Sequence, residues 1–179
     1  MILDAFQMFD LPSAPRDLAQ VAGTYASTNV LDYGITSGIP SSANGGGARD
    51  MGIGDNPALK LFVQISTAFA GGTSLQVALQ GAIDDGAGAP STFTTWYSSP
   101  VYALAGLTPA GLRLLNIDFP RPPAGVAVPR FMRLAYIILG TMTAGQVVAG
   151  VVLDRDDQMY AGTNSGVLGG YQAGINVAN

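Results

Sequence analysis

The chain is short of the residues that most readily build helices. Glutamate is absent and lysine occurs once, at Lys60, whereas glycine supplies 24 and proline 11 of the 179 residues. Glutamate and lysine favour helices, while glycine and proline are the poorest helix formers. The sequence therefore predicts an all-β protein, in which residues 18–22 form either one short helix or an outer strand.

Alternation of apolar and polar residues marks the first pair of strands. Between residues 59 and 65 every odd position is apolar, while Lys60 and Gln64 lie at even positions. This period of two is typical of a half-buried strand, although Phe62 interrupts the polar side. Residues 75–83 alternate in the same way after a pair of glycines, so we predict that the two strands form a hairpin.

A second hairpin is predicted between residues 131–139 and 146–154, across a turn at 141–145. The first of these strands is apolar on each face, which indicates that both of its faces are at least partly covered and that the pair is central. The apolar face shifts by one residue within 112–119, as a bulge or a bend between sheets requires. Further strands are predicted at 93–98 and, as an outer strand, at 29–33.

About eight short strands separated by turns favour a single antiparallel β-sandwich of the jelly-roll type. Residues 35–56 contain the glycine-rich stretch 41–47 and predict a long loop. Several prolines between 120 and 129 predict a stiff, protruding loop. We divide the chain into an N-terminal segment, the sandwich and an extended C-terminal arm, at residues 1–28, 29–157 and 158–179. The arm is uncharged and is expected to lie across a neighbouring subunit, with a frayed tail as the alternative.

The composition excludes most catalytic chemistry. Histidine and cysteine are both absent, which removes the usual nucleophile pairs and zinc sites, so we expect no enzyme and no cofactor. The net charge is −4 and the eight basic residues are scattered, which argues against a nucleic-acid partner. The uncharged stretches 61–83 and 134–153 are broken by glycine-containing turns, so we expect no membrane span. The N-terminus lacks the features of a signal peptide, so we expect no Sec export.

Two aspartate clusters and one aromatic cluster offer alternatives. Asp84 with Asp85, and Asp154 with its neighbours Asp156 and Asp157, could bind calcium, but neither matches a known loop spacing, and turn capping is the simpler interpretation. We therefore assign no metal site. Trp96, Tyr97 and Tyr102 could form a sugar-stacking platform, although aromatic residues in strands more often belong to the core.

Four runs of sequence resemble the capsid cement (decoration) proteins of short-tailed, podovirus-type bacteriophages. They are MGIGDNPALKLFVQI (51–65), LQVALQG (75–81), PRFMRLAY (129–136) and TAGQVVAGVVLDR (143–155). The resemblance extends over about residues 29–157. The stretch 41–47 and the glycine-rich C-terminus depart from the family pattern.

The resemblance implies a jelly-roll protein without an active site. It would bind the outer surface of an HK97-like shell of its own virus, bridge neighbouring major capsid subunits, and act as a dimer or small oligomer. Its location would be the outside of the virion, after assembly in the host cytoplasm. The competing hypothesis is a carbohydrate-binding jelly roll that uses Trp96 and Tyr97. Candidate contacts are the basic residues Arg121, Arg130, Arg133 and Arg155, the loop prolines Pro122 and Pro123, and the arm residues Tyr160, Val167, Leu168, Tyr171, Ile175 and Val177.

Overall fold

Two antiparallel β-sheets pack face to face in the computed structural model, which describes residues 7–34, 59–120, 125 and 129–153. These residues contain eleven strands and a short 3-10 helix, Leu104–Leu107, and none of them lies in an α-helix. The strands are β1 (Met8–Asp10), β2 (Arg16–Asp17), β3 (Gly23–Ala26), β4 (Leu31–Asp32), β5 (Leu59–Gly71), β6 (Ser74–Ala82), β7 (Thr94–Ser98), β8 (Tyr102–Ala103), β9 (Arg113–Asp118), β10 (Phe131–Leu139) and β11 (Met142–Leu153).

The strand order is that of a jelly roll. Sheet 1 has the order β1-β11-β5-β9, with β2 also on β11, and sheet 2 has the order β3-β10-β6-β7, with β4 on β10 and β8 on β6. Eight strands remain when the two-residue strands β2, β4 and β8 are left out. The first of them pairs with the last and so on inward: β1 with β11, β3 with β10, β5 with β9 and β6 with β7. This nested pairing confirms the predicted jelly-roll sandwich.

Both predicted hairpins are wrong, because each pair of consecutive strands is divided between the sheets. β5 lies in sheet 1 and β6 in sheet 2, while β10 lies in sheet 2 and β11 in sheet 1. The two short connections are arches that cross from one sheet to the other. β11 and β10 are nevertheless central in their sheets, as their apolar character predicted.

Glycine makes the two arches possible. Gly71, Gly72 and Gly140 all have positive φ, at +68°, +66° and +76°, where other residues are strained. The arches lie side by side, since the backbone N–H of Thr73 donates to the carbonyl of Leu139 at 2.7 Å. A Cβ atom on Gly140 would lie 2.9 Å from the Thr73 nitrogen, so a larger residue would force the arches apart.

Other strand predictions agree with the structure in more detail. β10 has the predicted bounds, and 29–33 contains the outer strand β4. The shift of apolar face in 112–119 is a bulge: Leu115 pairs with Val63 and Arg113 with Gln64, which leaves Leu114 as the extra residue. Residues 18–22 form neither a helix nor a strand, since they connect β2 to β3.

The core lies between the sheets and is lined by alternate residues of the long strands. Leu61, Val63 and Ile65 of β5 face inward from sheet 1 and are fully buried. Inward residues of sheet 2 complete the same cluster, which includes Leu75, Val77, Leu79, Leu134, Tyr136 and Ile138. Full burial stabilises each large apolar side chain by about 2 kcal/mol relative to exposure, so this alternation fixes the strand register.

A buried polar network joins the edge of sheet 1 to the centre of sheet 2. The Tyr136 hydroxyl on β10 donates to a carboxylate oxygen of Asp10 on β1 at 2.6 Å, and the other oxygen accepts the Thr28 N–H at 2.8 Å. Burial is the main cause that raises the pKa of Tyr136 well above its ordinary value, and the negative charge of the Asp10 carboxylate is the second. The strands before residue 29 therefore belong to the sandwich, although the sequence boundaries placed its start at that residue.

Phe62 breaks the alternation of β5 because the outer face of sheet 1 carries its own buried apolar residues. Met8, Gly150 and Phe62 lie in one cross-strand row, and both large side chains are buried although they lie outside the core cluster. A Cβ on Gly150 would lie 2.3 Å from the Met8 sulfur, so the glycine provides the space for Met8. The Arg113 guanidinium stacks over the Phe62 ring, 5.5 Å from its centroid.

Candidate interaction surface

The acidic turn before β7 is held by its own backbone. Asp84 accepts the N–H groups of Gly86 and Gly88, and Asp85 accepts those of Ala87 and Ala89. These bonds assign turn capping to both carboxylates. Across the described ranges, no three acidic residues come close enough to hold a metal ion. Asp154, Asp156 and Asp157 lie outside these ranges.

Arg130 forms an ion-pair clasp at one end of the sandwich. Its Nε and Nη2 donate to the two carboxylate oxygens of Asp32 at 2.8 and 3.0 Å, and its Nη1 pairs with Asp84. The guanidinium also stacks on Phe131, 4.8 Å from the ring centroid. Backbone N–H donors, followed by Arg130, lower the pKa of Asp84 below its ordinary value, and the hydrogen bond to Asp32 raises the pKa of Arg130.

The clasp joins three connections that leave the same end of the sandwich. Asp32 ends β4, Asp84 lies between β6 and β7, and Arg130 precedes β10. Each of the three guanidinium nitrogens of Arg130 donates to one of these two carboxylates, so the fold holds the Arg130 side chain in place. Its contact with a shell stays a prediction.

Arg133 is held differently and keeps donors to spare. Its Nε donates to Gln80 Oε1 at 2.9 Å, and its guanidinium lies 3.9 Å from the centroid of the Phe93 ring. No acidic residue of the described ranges pairs with it, and its two terminal nitrogens make no hydrogen bond there. The stack and the glutamine thus orient a guanidinium whose outer edge has no partner in that part of the chain.

The outer face of sheet 2, here called the Arg133 face, is poor in charge. Odd-numbered residues of β10 point outward, because the even-numbered ones belong to the core. Next to the row of Arg133 and Gln80 runs a row of small residues, and the row beyond it holds Ile137 and Gln76. The small residues that cross the four strands are Ala26, Ala135, Ala78 and Ser98.

Large apolar side chains are exposed at the far end of the Arg133 face. The outer face of β10 is partly covered, as predicted, because Phe131 and Ala135 are buried, but Ile137 is 37% and Leu139 60% exposed. Val101, just before the edge strand β8, is 63% exposed. Exposed apolar residues that cluster in this way are typical of an interaction surface.

The aromatic cluster is packed against the core instead of forming an exposed platform. A Cβ on Gly81 would lie 2.6 Å from the Trp96 ring, which shows how closely the indole covers this glycine. Tyr97 and Tyr102 are also partly buried against the core. The Tyr102 hydroxyl donates to the Leu114 carbonyl at 2.7 Å, and burial raises the pKa of Tyr102.

Most of the contact residues predicted from the sequence lie outside the described ranges, and Arg130 and Arg133 are the exceptions. Phe93, Gln80, Ile137 and Leu139 were not among the predicted site residues. Their signal was available in part, since Ile137 and Leu139 share the parity of Arg133 along one strand. The residues outside the ranges are Arg121, Pro122, Pro123, Arg155, Tyr160, Val167, Leu168, Tyr171, Ile175 and Val177.

Comparison with protein-family models matches residues 17–151, well over half of the chain, to a family described as Bbp16. No curated protein shows significant similarity to the chain. The matched range contains every described strand except β1, the first residue of β2 and the end of β11. Within the described ranges, no helix has the length and the apolar character that crossing a membrane requires.

Proposed function

Because the chain belongs to the Bbp16 family and folds as a jelly roll, we propose that it is a capsid cement protein of a bacteriophage. In this proposal it is a structural protein without enzymatic activity. It binds the outer surface of an HK97-like shell and bridges neighbouring major capsid subunits, as a dimer or small oligomer. Its place is the outside of the virion.

One observation carries the proposal. The four runs that resemble phage cement proteins overlap the four central strands of the fold, β5, β6, β10 and β11, although residues 51–58 of the first run lie outside the described residues. These strands pair with one another within the two sheets and supply most of the core. The resemblance therefore concerns the framework of the protein and is not confined to an edge or a loop.

The way in which a cement protein stabilises a shell fits the charge-poor outer face of sheet 2, which exposes large apolar side chains at its far end. A protein that binds only the assembled lattice stabilises that state by mass action, and many copies on one shell stabilise it together. Each contact can then be modest in affinity. The alternative, a carbohydrate-binding jelly roll, needs exposed aromatic rings, whereas Trp96 and Tyr97 pack against the core.

Co-sedimentation with shells of the same virus that lack this protein tests the proposal. Purified protein is mixed with shells before and after expansion, and the bound amount is measured to saturation, together with the resistance of the shells to heat. We expect saturable binding to the expanded shells and a rise in their melting temperature. A folded protein that binds neither form would contradict the proposal, and a glycan panel would then test the alternative.

A further inference from the structure

Arg133 has the features of a binding anchor that is prepared before its partner arrives. Its guanidinium is fixed by Gln80 on one edge and by the Phe93 ring on one face, while the terminal nitrogens have no partner in the described ranges. A guanidinium edge with two parallel donors matches the two oxygens of a carboxylate. Because the side chain is already ordered, little conformational entropy is lost when a carboxylate binds.

The apolar end of the same face defines the rest of the partner. Ile137 lies four positions after Arg133 along β10, a distance of about 13 Å, and Leu139 lies about 7 Å further. The small residues Ala135 and Ala78 between them are buried, each 1% exposed, so Arg133 and the apolar end are the parts of this face that a protein surface can contact. The Arg133 face therefore fits a protein surface that presents a carboxylate at this distance from a cluster of apolar side chains.

A second copy of the chain fits this face less well. In a two-fold contact Arg133 would need an acidic partner on the same face of the other copy. Asp32 lies at the end of that face, and both of its carboxylate oxygens already accept hydrogen bonds from Arg130. Among the described residues, the charge on the face is thus complementary to an acidic surface and not to itself.

We propose that the Arg133 face docks on the capsid shell, with Arg133 binding a carboxylate of the shell protein and Ile137, Leu139 and Val101 covering an adjacent apolar patch. This inference rests on the proposed function and adds which of the two sheets meets the shell. The outer face of sheet 1, with Arg113 over Phe62, then points away from it.

Shell-binding affinity of matched variants tests the inference. Arg133→Gln removes the charge, and Arg133→Lys keeps the charge but loses the planar donor pair. Arg113→Gln is the control, since it removes a guanidinium that also stacks on a phenylalanine, on the opposite outer face. Leu139→Asn tests the apolar end, and Leu112→Asn, which changes an exposed leucine outside that face, is its control.

We expect Arg133→Gln and Leu139→Asn each to weaken binding about tenfold or more, as loss of an interface anchor does, with Arg133→Lys intermediate and both controls unchanged. The wild-type affinity should also fall with added salt more steeply than that of Arg133→Gln. Unfolding midpoints measured in parallel show whether Arg133→Gln and Arg113→Gln affect the fold equally.

Two results would overturn the docking face and leave the proposed function intact. One is wild-type affinity for shells in all the variants. The other is a Leu139→Asn protein that keeps its shell affinity but changes from an oligomer to a monomer in sedimentation velocity, which would make this face a contact between copies. Failure of the wild-type protein to bind any shell would instead refute the proposed function, and the docking face with it.

Discussion

The hydrogen bond between Tyr136 and Asp10 connects the two sheets, and its removal has a predictable cost. Tyr136→Phe deletes only the hydroxyl that donates to the Asp10 carboxylate at 2.6 Å, in a place where both residues are fully buried. A hydrogen bond to a carboxylate contributes about 1.5–3 kcal/mol to stability, and no water reaches the oxygen that is left behind. We therefore expect the free energy of unfolding to fall by about 2 kcal/mol.

Urea unfolding followed by fluorescence measures this loss directly, because Trp96 is the only tryptophan of the chain. With a denaturant slope of about 2 kcal/mol per molar, the midpoint should decrease by about 1 M. Tyr25→Phe is the matched control, since its hydroxyl donates to the Val21 carbonyl in an exposed position. Its midpoint should change by less than about a quarter of that amount.

A double-mutant cycle separates this bond from other effects of the substitution. Asp10→Ala removes the same bond from the other side, so the double variant with Tyr136→Phe should cost less than the sum of the single changes, by about the energy of the bond. Equal midpoints for Tyr136→Phe and Tyr25→Phe, or strict additivity in the cycle, would refute the idea that this contact holds the sheets together.

Three further predictions concern pH and packing. The pKa of Tyr136 is raised in the fold above its ordinary 10.0, so the unfolded chain loses this proton at a lower pH than the folded protein does. The stability of the wild type should therefore fall above about pH 10 more steeply than that of Tyr136→Phe. Urea midpoints across alkaline pH measure this difference. The pKa of Asp84 is lowered from its ordinary 3.8, so the stability that its ionised carboxylate contributes is present above that pH and is lost as the pH falls through the lowered value. The stability difference between wild type and Asp84→Ala should therefore shrink on acidification. A constant difference would contradict this. Gly81→Ala places a Cβ 2.6 Å from the Trp96 ring and 2.9 Å from Pro129, so it should destabilise by about 1–3 kcal/mol and shift the tryptophan emission, whereas Gly106→Ala, where a Cβ meets nothing within 4 Å, should change neither.

The fold class and the long strands could be predicted because their signal is local. Alternation along a strand is visible in one dimension, and it located β10 and the bulge at Leu114. Strand pairing is not local. A short connection with two glycines usually joins a hairpin, but Gly71 and Gly72 here turn the chain into the opposite sheet, because the positive φ angles allow an arch that stacks against Gly140.

The sheet positions of the N-terminal strands and the different partners of the two arginines could not be predicted from the sequence. β1 and β2 have three and two residues, which is too short for a periodic pattern, and their place in sheet 1 comes from pairing with β11. Arg130 and Arg133 were equivalent in the sequence. Their partners are distant along the chain, with Asp32 98 residues from Arg130 and Gln80 53 residues from Arg133, so only the fold separates a clasp from an available donor.

A cryo-electron microscopy reconstruction of expanded shells, saturated with the protein, would show whether and how the protein binds the capsid. We expect an added jelly-roll density on the outer surface of the shell, which bridges neighbouring capsid subunits and is absent from shells that were not incubated with the protein. The β3-β10-β6-β7 sheet should face the shell. A reconstruction with no added density on the outer surface, from shells incubated with folded protein, would contradict the proposal that the chain is a capsid cement protein.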